Sequence, residues 1–300
     1  MQVKSIGRNS FMSKVTVVIP SLGNMNLLET INILNSGTFI PDEILICVPV
    51  NKKVEFGLPT NSKLIYCEKK SQVAQRAEGF RLAKSDFVLQ LDDDTHLAET
   101  CLEKLVERLV KSKDNSAVAP IILNSETKES IYKYENLDTK FNTLRHFIAN
   151  GPELYKPGVI TKVGSCFGPK FSVESDAIIE TEWVAGCCVL HRRENLVCDD
   201  YYPFTGKAYS EDLIASYLYK LKSINFYICN NTFCFTPPAA VGESSFMELI
   251  KELRARRYYI ILSNKHSLRF YIYAGFRCIF ELIFNIPKRL LHRTHVGYVQ

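Results

Sequence analysis

The chain has 300 residues, of which 46% are hydrophobic and 11% aromatic, values that exclude a disordered chain and allow one large α/β domain with an ample core. Its 37 Lys and Arg against 32 Asp and Glu give a net charge of +5, but residues 251–300 alone hold ten basic side chains against only Glu252 and Glu281, a local net of +8. A slightly acidic body with a basic end excludes a globally basic nucleic-acid coat and points to one charged C-terminal surface.

Residues 1–14 (MQVKSIGRNSFMSK) read as an N-terminal tail without the apolar stretch a secretory signal needs, so a cytoplasmic protein is expected. VTVVI (15–19), ended by Pro20, predicts a buried strand, and Leu27, Leu28, Ile31 and Leu34 recur at helical spacing. EILICVPV (43–50) and Lys63–Cys67 predict two more strands. Val73, Ala77 and Phe80 mark a helix, followed by a strand over Asp86–Leu91. Cys101, Leu102, Leu105, Val106, Leu109 and Val110 form one apolar helical stripe, and Ala117–Leu123 the next strand. Alternation of this kind predicts βαβ units and a central, mostly parallel sheet flanked by helices, with ligands at the carboxyl ends of its strands. Residues 124–182 read as a long excursion over that edge, Trp183–Leu190 as a strand, and Leu213, Ile214, Tyr217, Leu218 and Leu221 as a helix. The ten cysteines contain no C-x-x-C pair, which predicts reduced, mostly buried thiols and no zinc site.

Asp92-Asp93-Asp94 directly follows the strand FVLQL. Extended geometry places Asp92 and Asp94 on one side and Asp93 on the other. Two converging carboxylates suit a hard divalent cation that keeps positions open for phosphate oxygens. The alternative is a solvated turn capping a helix that starts near Thr95. Ser210-Glu211-Asp212 opens the second clear helix, with Ser210 as a plausible N-cap; the acids are explained either by the helix dipole or by a general base held ionised and aimed. Gln75, Arg76 and Gly79 precede the acidic strand, where an Arg could face a diphosphate. No G-x-G-x-x-G, Walker, G-x-S-x-G or H-E-x-x-H pattern occurs.

Taken in order, VTVVIPSLGN (15–24), QVAQRAEGFRLAKSDFVLQLDDD (72–94), EWVAGCCVLHRRENL (182–196) and YSEDLIASYLYKLKS (209–223) resemble the motifs of family 2 glycosyltransferases, inverting enzymes of the GT-A fold that include bacterial polysaccharide-assembly enzymes. The resemblance implies a GT-A-like single domain over 15–245 and a metal-dependent transfer of a sugar from a nucleotide-sugar donor, a UDP-sugar first, to a hydroxyl of a glycan or lipid-linked glycan. It assigns Pro20, Ser21, Arg76, Asp92 and Asp93 to the donor, and Asp94 with Asp92 to Mn²⁺ or Mg²⁺ in a DxD motif. It assigns Asp212 with Glu211 to deprotonation of the acceptor, and Trp183 and Gly186 to the acceptor side. Two positions depart from the family pattern. Val48 and Pro49 stand where relatives carry a base-recognising acid, and Glu243 stands near the place of a frequent histidine.

The basic end, 246–300, is predicted to be an amphipathic helical segment. Leu268–Ile286 is apolar but interrupted by Arg269, Arg277 and Glu281, which fits a helix lying at an anionic membrane surface or packing on the domain better than a membrane span. The segment leaves both readings open; the resemblance to enzymes that act on lipid-linked glycans favours a cytoplasmic protein peripheral on the inner face of the cytoplasmic membrane, without a nucleic-acid partner. Two other functions fit parts of the pattern: a nucleotide-sugar nucleotidyltransferase, and a non-catalytic membrane-recruited binding module.

Overall fold

The computed structural model describes residues 13–132, 139–171, 177–238 and 246–285. β1 (Val15–Pro20) is buried along its whole length, as a β-branched run covered on both faces should be. α1 (Met25–Ser36) starts where the Asn24 side chain accepts the Leu27 N–H, and it turns Leu27, Ile31 and Leu34 onto the sheet. β2 (Glu43–Pro49) and β3 (Ser62–Cys67) follow. α2 (Gln72–Leu82) is capped by Ser71 and leads to β4 (Phe87–Leu91). A Cβ on Gly79 would come within 2.3 Å of Val18 Cγ1 and 2.8 Å of Cys47 Sγ, so only glycine lets α2 lie this close to β1 and β2.

Next come the short β5 (His96–Leu97), α3 (Cys101–Lys111) and β6 (Ser116–Asn124). α3 buries the predicted stripe except Val110, which is 54% exposed in its last turn. The excursion contains α4 (Lys140–Asn150) and β7 (Ile178–Thr181), and the chain then re-enters the sheet as β8 (Cys188–Arg192). α5 (Glu211–Leu221), the twelve-residue β9 (Asn225–Thr236), α6 (Phe246–Leu262) and α7 (Ser267–Phe280) complete the described elements.

The sheet runs in the order β3-β2-β1-β4-β8-β6-β9-β5, with β7 paired to β9. The predicted parallel pairing holds through β3-β2-β1-β4 and for β6 with β9, while β8 is antiparallel to both β4 and β6. The reason is geometric: β6 ends at the carboxyl edge, and a chain that returns from that edge must run the opposite way. The ladder between β6 and β9 slips at Pro120, which has no N–H to donate, and residues 230–232 of β9 bulge there.

Trp183–Cys187, predicted as the start of a strand, lies outside it. The Trp183 N–H donates to Thr181 Oγ1, the Ala185 N–H to Tyr132 Oη and the Gly186 N–H to Asp212 Oδ1, so these groups are spent on side chains rather than on a ladder.

One apolar core underlies β1, β2, β4, β6 and β8 with α1 and α3. A second gathers Leu213 and Ile214 of α5, Leu249, Leu253 and Tyr259 of α6, and Phe270 and Tyr273 of α7 around Ile160, Val163 and Phe167. The basic C-terminal helices thus share a core with the domain, while the opposite face of α7 stays exposed. No described helix is long and apolar enough to cross a membrane.

Candidate active site

Three strands meet at one place on the carboxyl edge. β1 ends in Pro20 and Ser21, its parallel neighbour β4 runs into Asp92–Asp94, and β8 begins beside them with Cys188 opposite Leu91. The Asp92 N–H donates to the Cys187 carbonyl at 3.0 Å, which brings Gly186 and Cys187 against the acidic triplet.

The triplet does not stay extended. The Thr95 N–H turns back to the Asp92 carbonyl at 3.2 Å, so the side-to-side alternation predicted for Asp92, Asp93 and Asp94 fails. All three instead line one cavity of about 510 Å³ with Pro20, Ser21 and Gln72. The helix-cap alternative also fails, because Thr95 leads into β5 and the next helix starts only at Cys101.

Within this cavity the three carboxylates have different partners. Asp93 Oδ2 accepts from the Ser21 hydroxyl at 2.5 Å, and its carbonyl accepts from Thr30 at 2.9 Å. Asp92 Oδ1 accepts from Gln72 at 2.9 Å and from Arg76 at 3.1 Å. Asp94 makes no hydrogen bond or ion pair among the described residues. Burial pushes the Asp92 carboxyl up to about 6 despite the Arg76 charge, and burial likewise raises Asp93.

Arg76 is the hinge of the electrostatics. It is 3% exposed and joins Asp92 to Glu211, with Nη1 2.6 Å from Glu211 Oε1. Burial works against its charge, but Glu211 and Asp92 more than offset this and raise its pKa. Glu211 is itself 5% exposed and also accepts from the Tyr201 hydroxyl at 2.5 Å. Both of these bonds use Oε1, and Glu211 Oε2 stays beside Asp212, the neighbour expected from the sequence: Oε2 and Asp212 Oδ1 lie 3.4 and 2.6 Å from where a Cβ on Gly186 would stand.

Asp212 lies beside Glu211, against Gly186. Its Oδ1 accepts the Gly186 N–H at 2.8 Å, and burial followed by the Glu211 charge raises its pKa well above the usual carboxylate range. That is the direction a general base working near neutral pH requires. Ser210 does not cap α5 as predicted: its backbone is left-handed (φ 52°, ψ 26°) and its side chain makes no cap bond.

A side chain at Gly186 would force its neighbours to move. A Cβ there would lie 2.6 Å from Asp212 Oδ1 and 2.8 Å from Gln90 Nε2. Trp183 is an anchor for this segment: its indole N–H donates to the Phe167 carbonyl at 2.8 Å and its ring packs on Tyr132. It does not line the cavity of the acidic triplet.

Sequence reasoning singled out Gln75 beside Arg76 without a role of its own, and missed Gln72, Lys70 and Lys207. Gln75 Nε2 donates to the Ser21 carbonyl at 2.9 Å and to the Cys47 carbonyl, stitching α2 to the ends of β1 and β2. Its side and that of Gln72 follow from the helical register of Arg76, a signal already present in QVAQR. Lys70 and Lys207 line the cavity from two separate loops, and no local pattern marks them. Glu243 lies outside the described residues.

The donor set fits a divalent cation. Asp94 offers an uncommitted carboxylate beside Asp92, which uses only Oδ1 for its hydrogen bonds, and both are hard oxygen donors. Among the described residues no group of three His, Cys, Asp or Glu is arranged to cage a metal.

Comparison with known proteins bears on the fold and on family likeness. Residues 50–176 match the family model described as glycosyl transferase family 2. No curated protein matches the chain. Among solved structures, GalNAc-T7 with UDP, GalNAc and Mn²⁺ is similar at 15% identity and a TM-score of 0.55, covering 83% of this chain and 48% of its own. Residues 1–349 of S. aureus TarS are similar at 12% identity and a TM-score of 0.50, covering 92% of this chain and 77% of theirs. The chain thus spans about half the length of GalNAc-T7. The fold is of the GT-A type, and the match to the family 2 model spans residues 50–176, from just after β2 through the acidic triplet into the excursion, less than half of the chain.

Proposed function

We propose, from the premise of a GT-A fold carrying a family 2 segment, that this chain is a nucleotide-sugar-dependent glycosyltransferase. It transfers the sugar to a hydroxyl of a glycan or lipid-linked glycan with inversion at the anomeric carbon. The observation that carries this reading is the placement of Asp212 against Gly186 and beside Glu211, which the buried Arg76 ties to Asp92 of the acidic cavity.

The donor nucleotide occupies the cavity lined by Pro20, Ser21 and the acidic triplet, with a UDP-sugar as first choice because the GalNAc-T7 structure holds UDP. Lys70 and Lys207 at its rim offer charge to a diphosphate. Asp94 with Asp92 would hold Mn²⁺ or Mg²⁺, which supplies neutralisation of the charge that develops on the leaving nucleoside diphosphate. Asp212 takes the proton of the acceptor hydroxyl, so that the oxygen attacks from the face opposite the leaving group. Its raised pKa makes it a stronger base than an ordinary carboxylate. The Gly186 N–H fixes the direction of that carboxylate, while Arg76 and Glu211 hold α5 at the correct distance from Asp92.

The test is a nucleotide-sugar panel with each cation, read as release of nucleoside diphosphate. Asp94→Ala is expected to weaken metal-dependent donor binding. Asp212→Asn is expected to leave donor binding intact and lower kcat by about 10²–10⁴. Transfer that survives both substitutions removes the assignment, and release of pyrophosphate would instead identify a nucleotidyltransferase.

A further inference from the structure

A cavity of about 390 Å³ opens away from the acidic triplet, between α4, α6, α7 and residues 165–167. Its polar lining is cationic: Arg145, Arg256 and Arg277 enter from three different helices. Its mouth is aromatic, with Phe141 of α4 5.9 Å from both Phe276 and Phe280 of α7.

Two of these arginines, Arg256 and Arg277, are held in place before any ligand arrives. Arg256 Nη1 donates to Ser165 Oγ at 2.6 Å and to the Tyr273 hydroxyl at 3.2 Å, while its Nε is buried without a partner. Arg277 Nη1 donates to the same Tyr273 hydroxyl at 3.0 Å. Glu252 pairs with both guanidiniums and Glu281 also lines the cavity, so the acids offset part of the charge. The balance at the centre is nevertheless positive. Burial alone would raise the Tyr273 hydroxyl, yet Arg256 and Arg277 bring it below its ordinary value.

Around this cavity the described surface is apolar and exposed. Leu268, Ile272, Ile279, Leu282 and Ile283 on and after α7 are each at least half exposed. Phe141, Leu144 and Phe147 continue the patch on α4. A second opening of about 710 Å³ along the same two helices adds Lys265 and Arg269. A basic cavity inside an exposed apolar patch, in a region of net charge +8, complements an amphiphile with an anionic head and apolar tails.

We propose that the α4–α7 face is a lipid-binding surface, with the phosphate of a membrane lipid seated among Arg145, Arg256 and Arg277 and the acyl region against Phe141, Phe276, Phe280 and the exposed row of α7. This site is separate from the donor cavity. It faces the acceptor side, because Phe167, which lines it, also accepts the indole N–H of Trp183 three residues before Gly186. The surface would hold the enzyme at a membrane with its acceptor-side wall nearest the lipid.

The experiment is co-sedimentation of the full chain with phosphatidylcholine vesicles, with and without phosphatidic acid. Binding is expected only with phosphatidic acid. Arg277→Gln is expected to weaken it by about thirtyfold, as loss of a charge-assisted phosphate contact should. Lys251→Gln, an exposed charge on α6, should weaken it by about fivefold at most, the diffuse contribution of one surface cation. Equal losses for the two variants would overturn the cavity in favour of general attraction. Ile279→Asp, on a side chain 58% exposed and outside the core, should abolish sedimentation without changing the fold. Full vesicle binding by that variant, or inorganic phosphate that binds the wild type and Ile279→Asp alike while vesicles do not, would overturn the lipid assignment. Transfer to a water-soluble acceptor is expected to be the same in Ile279→Asp and wild type, so failure here leaves the Asp212 reading separately testable.

Discussion

Replacement of Gly186 by alanine tests the acceptor-side geometry with the smallest possible perturbation. The added methyl would sit 2.6 Å from Asp212 Oδ1, where ordinary contact begins at 3.4 Å, a deficit of about 0.8 Å. The other neighbours are Gln90 Nε2 at 2.8 Å and Glu211 Oε2 at 3.4 Å, and all three atoms are ends of side chains that can move. The backbone of Gly186 is not in the left-handed region, so alanine adds no conformational strain. The fold is therefore expected to survive, with a cost of about 1.5–3 kcal/mol if the bond from the Gly186 N–H to the carboxylate is lost. Catalysis should suffer more specifically. Displacement of a reacting group by nearly 1 Å costs on the order of 10²-fold in rate, equivalent to about 2.7 kcal/mol of barrier. The assay is kcat at saturating donor and acceptor, alongside the donor Kd and a urea unfolding curve. A kcat that falls about 100-fold with an unchanged donor Kd supports the reasoning. A folded Gly186→Ala enzyme within about threefold of wild-type kcat would refute the claim that this contact aims Asp212.

Arg76→Met should leave Glu211 buried without its cation and destabilise the protein by about 3–5 kcal/mol, read as a lower urea midpoint. Asp92 carries a pH signature of opposite sign to the usual acidic residue. Its folded pKa of about 6 exceeds the unfolded 3.8, so its contribution to stability is fully present below pH 3.8 and is lost as pH rises through 6. Unfolding of the metal-free protein across pH 4–7 should show this loss, and Asp92→Asn should flatten it. Addition of Mn²⁺ with a nucleoside diphosphate should reverse the trend, since both need the ionised carboxylate; affinity for the pair is expected to rise with pH up to about 6 and then level.

Much of the parallel half of the sheet was legible in the sequence, because strands buried on both faces have continuous apolar runs and their helices carry one-sided stripes. VTVVI, EILIC and FVLQL each announced a strand, and the two that bear the site ended in Pro20-Ser21 and in the acidic triplet. β9 passed unnoticed for all its twelve residues, since alternation across an irregular run such as NFYICNNTFCFT is broken by the bulge at 230–232. The start of β8 was misplaced for a different reason. WVAGC is apolar enough for a strand, but its N–H groups go to Thr181, Tyr132 and Asp212, partners that local sequence does not reveal.

The site divides in the same way. The types of its residues and their order along the chain were fixed locally: a carboxylate triplet after a strand, an arginine one helix earlier, and a Glu-Asp pair opening another helix. Which carboxylate does what was decided only in three dimensions. A turn at Asp92 brings all three acids to one cavity, Arg76 ties Glu211 to Asp92, and the Gly186 N–H holds Asp212 beside Glu211. Charge pattern likewise marked the C-terminal end as basic and amphipathic, without saying which side of it would be covered. Packing settled that by burying Phe270 and Tyr273 against α6 and leaving Ile272 and Ile279 outside. Local sequence sets the period of a helix and the chemistry at a strand's end; the direction in which a charge is turned depends on the neighbours that distant segments bring.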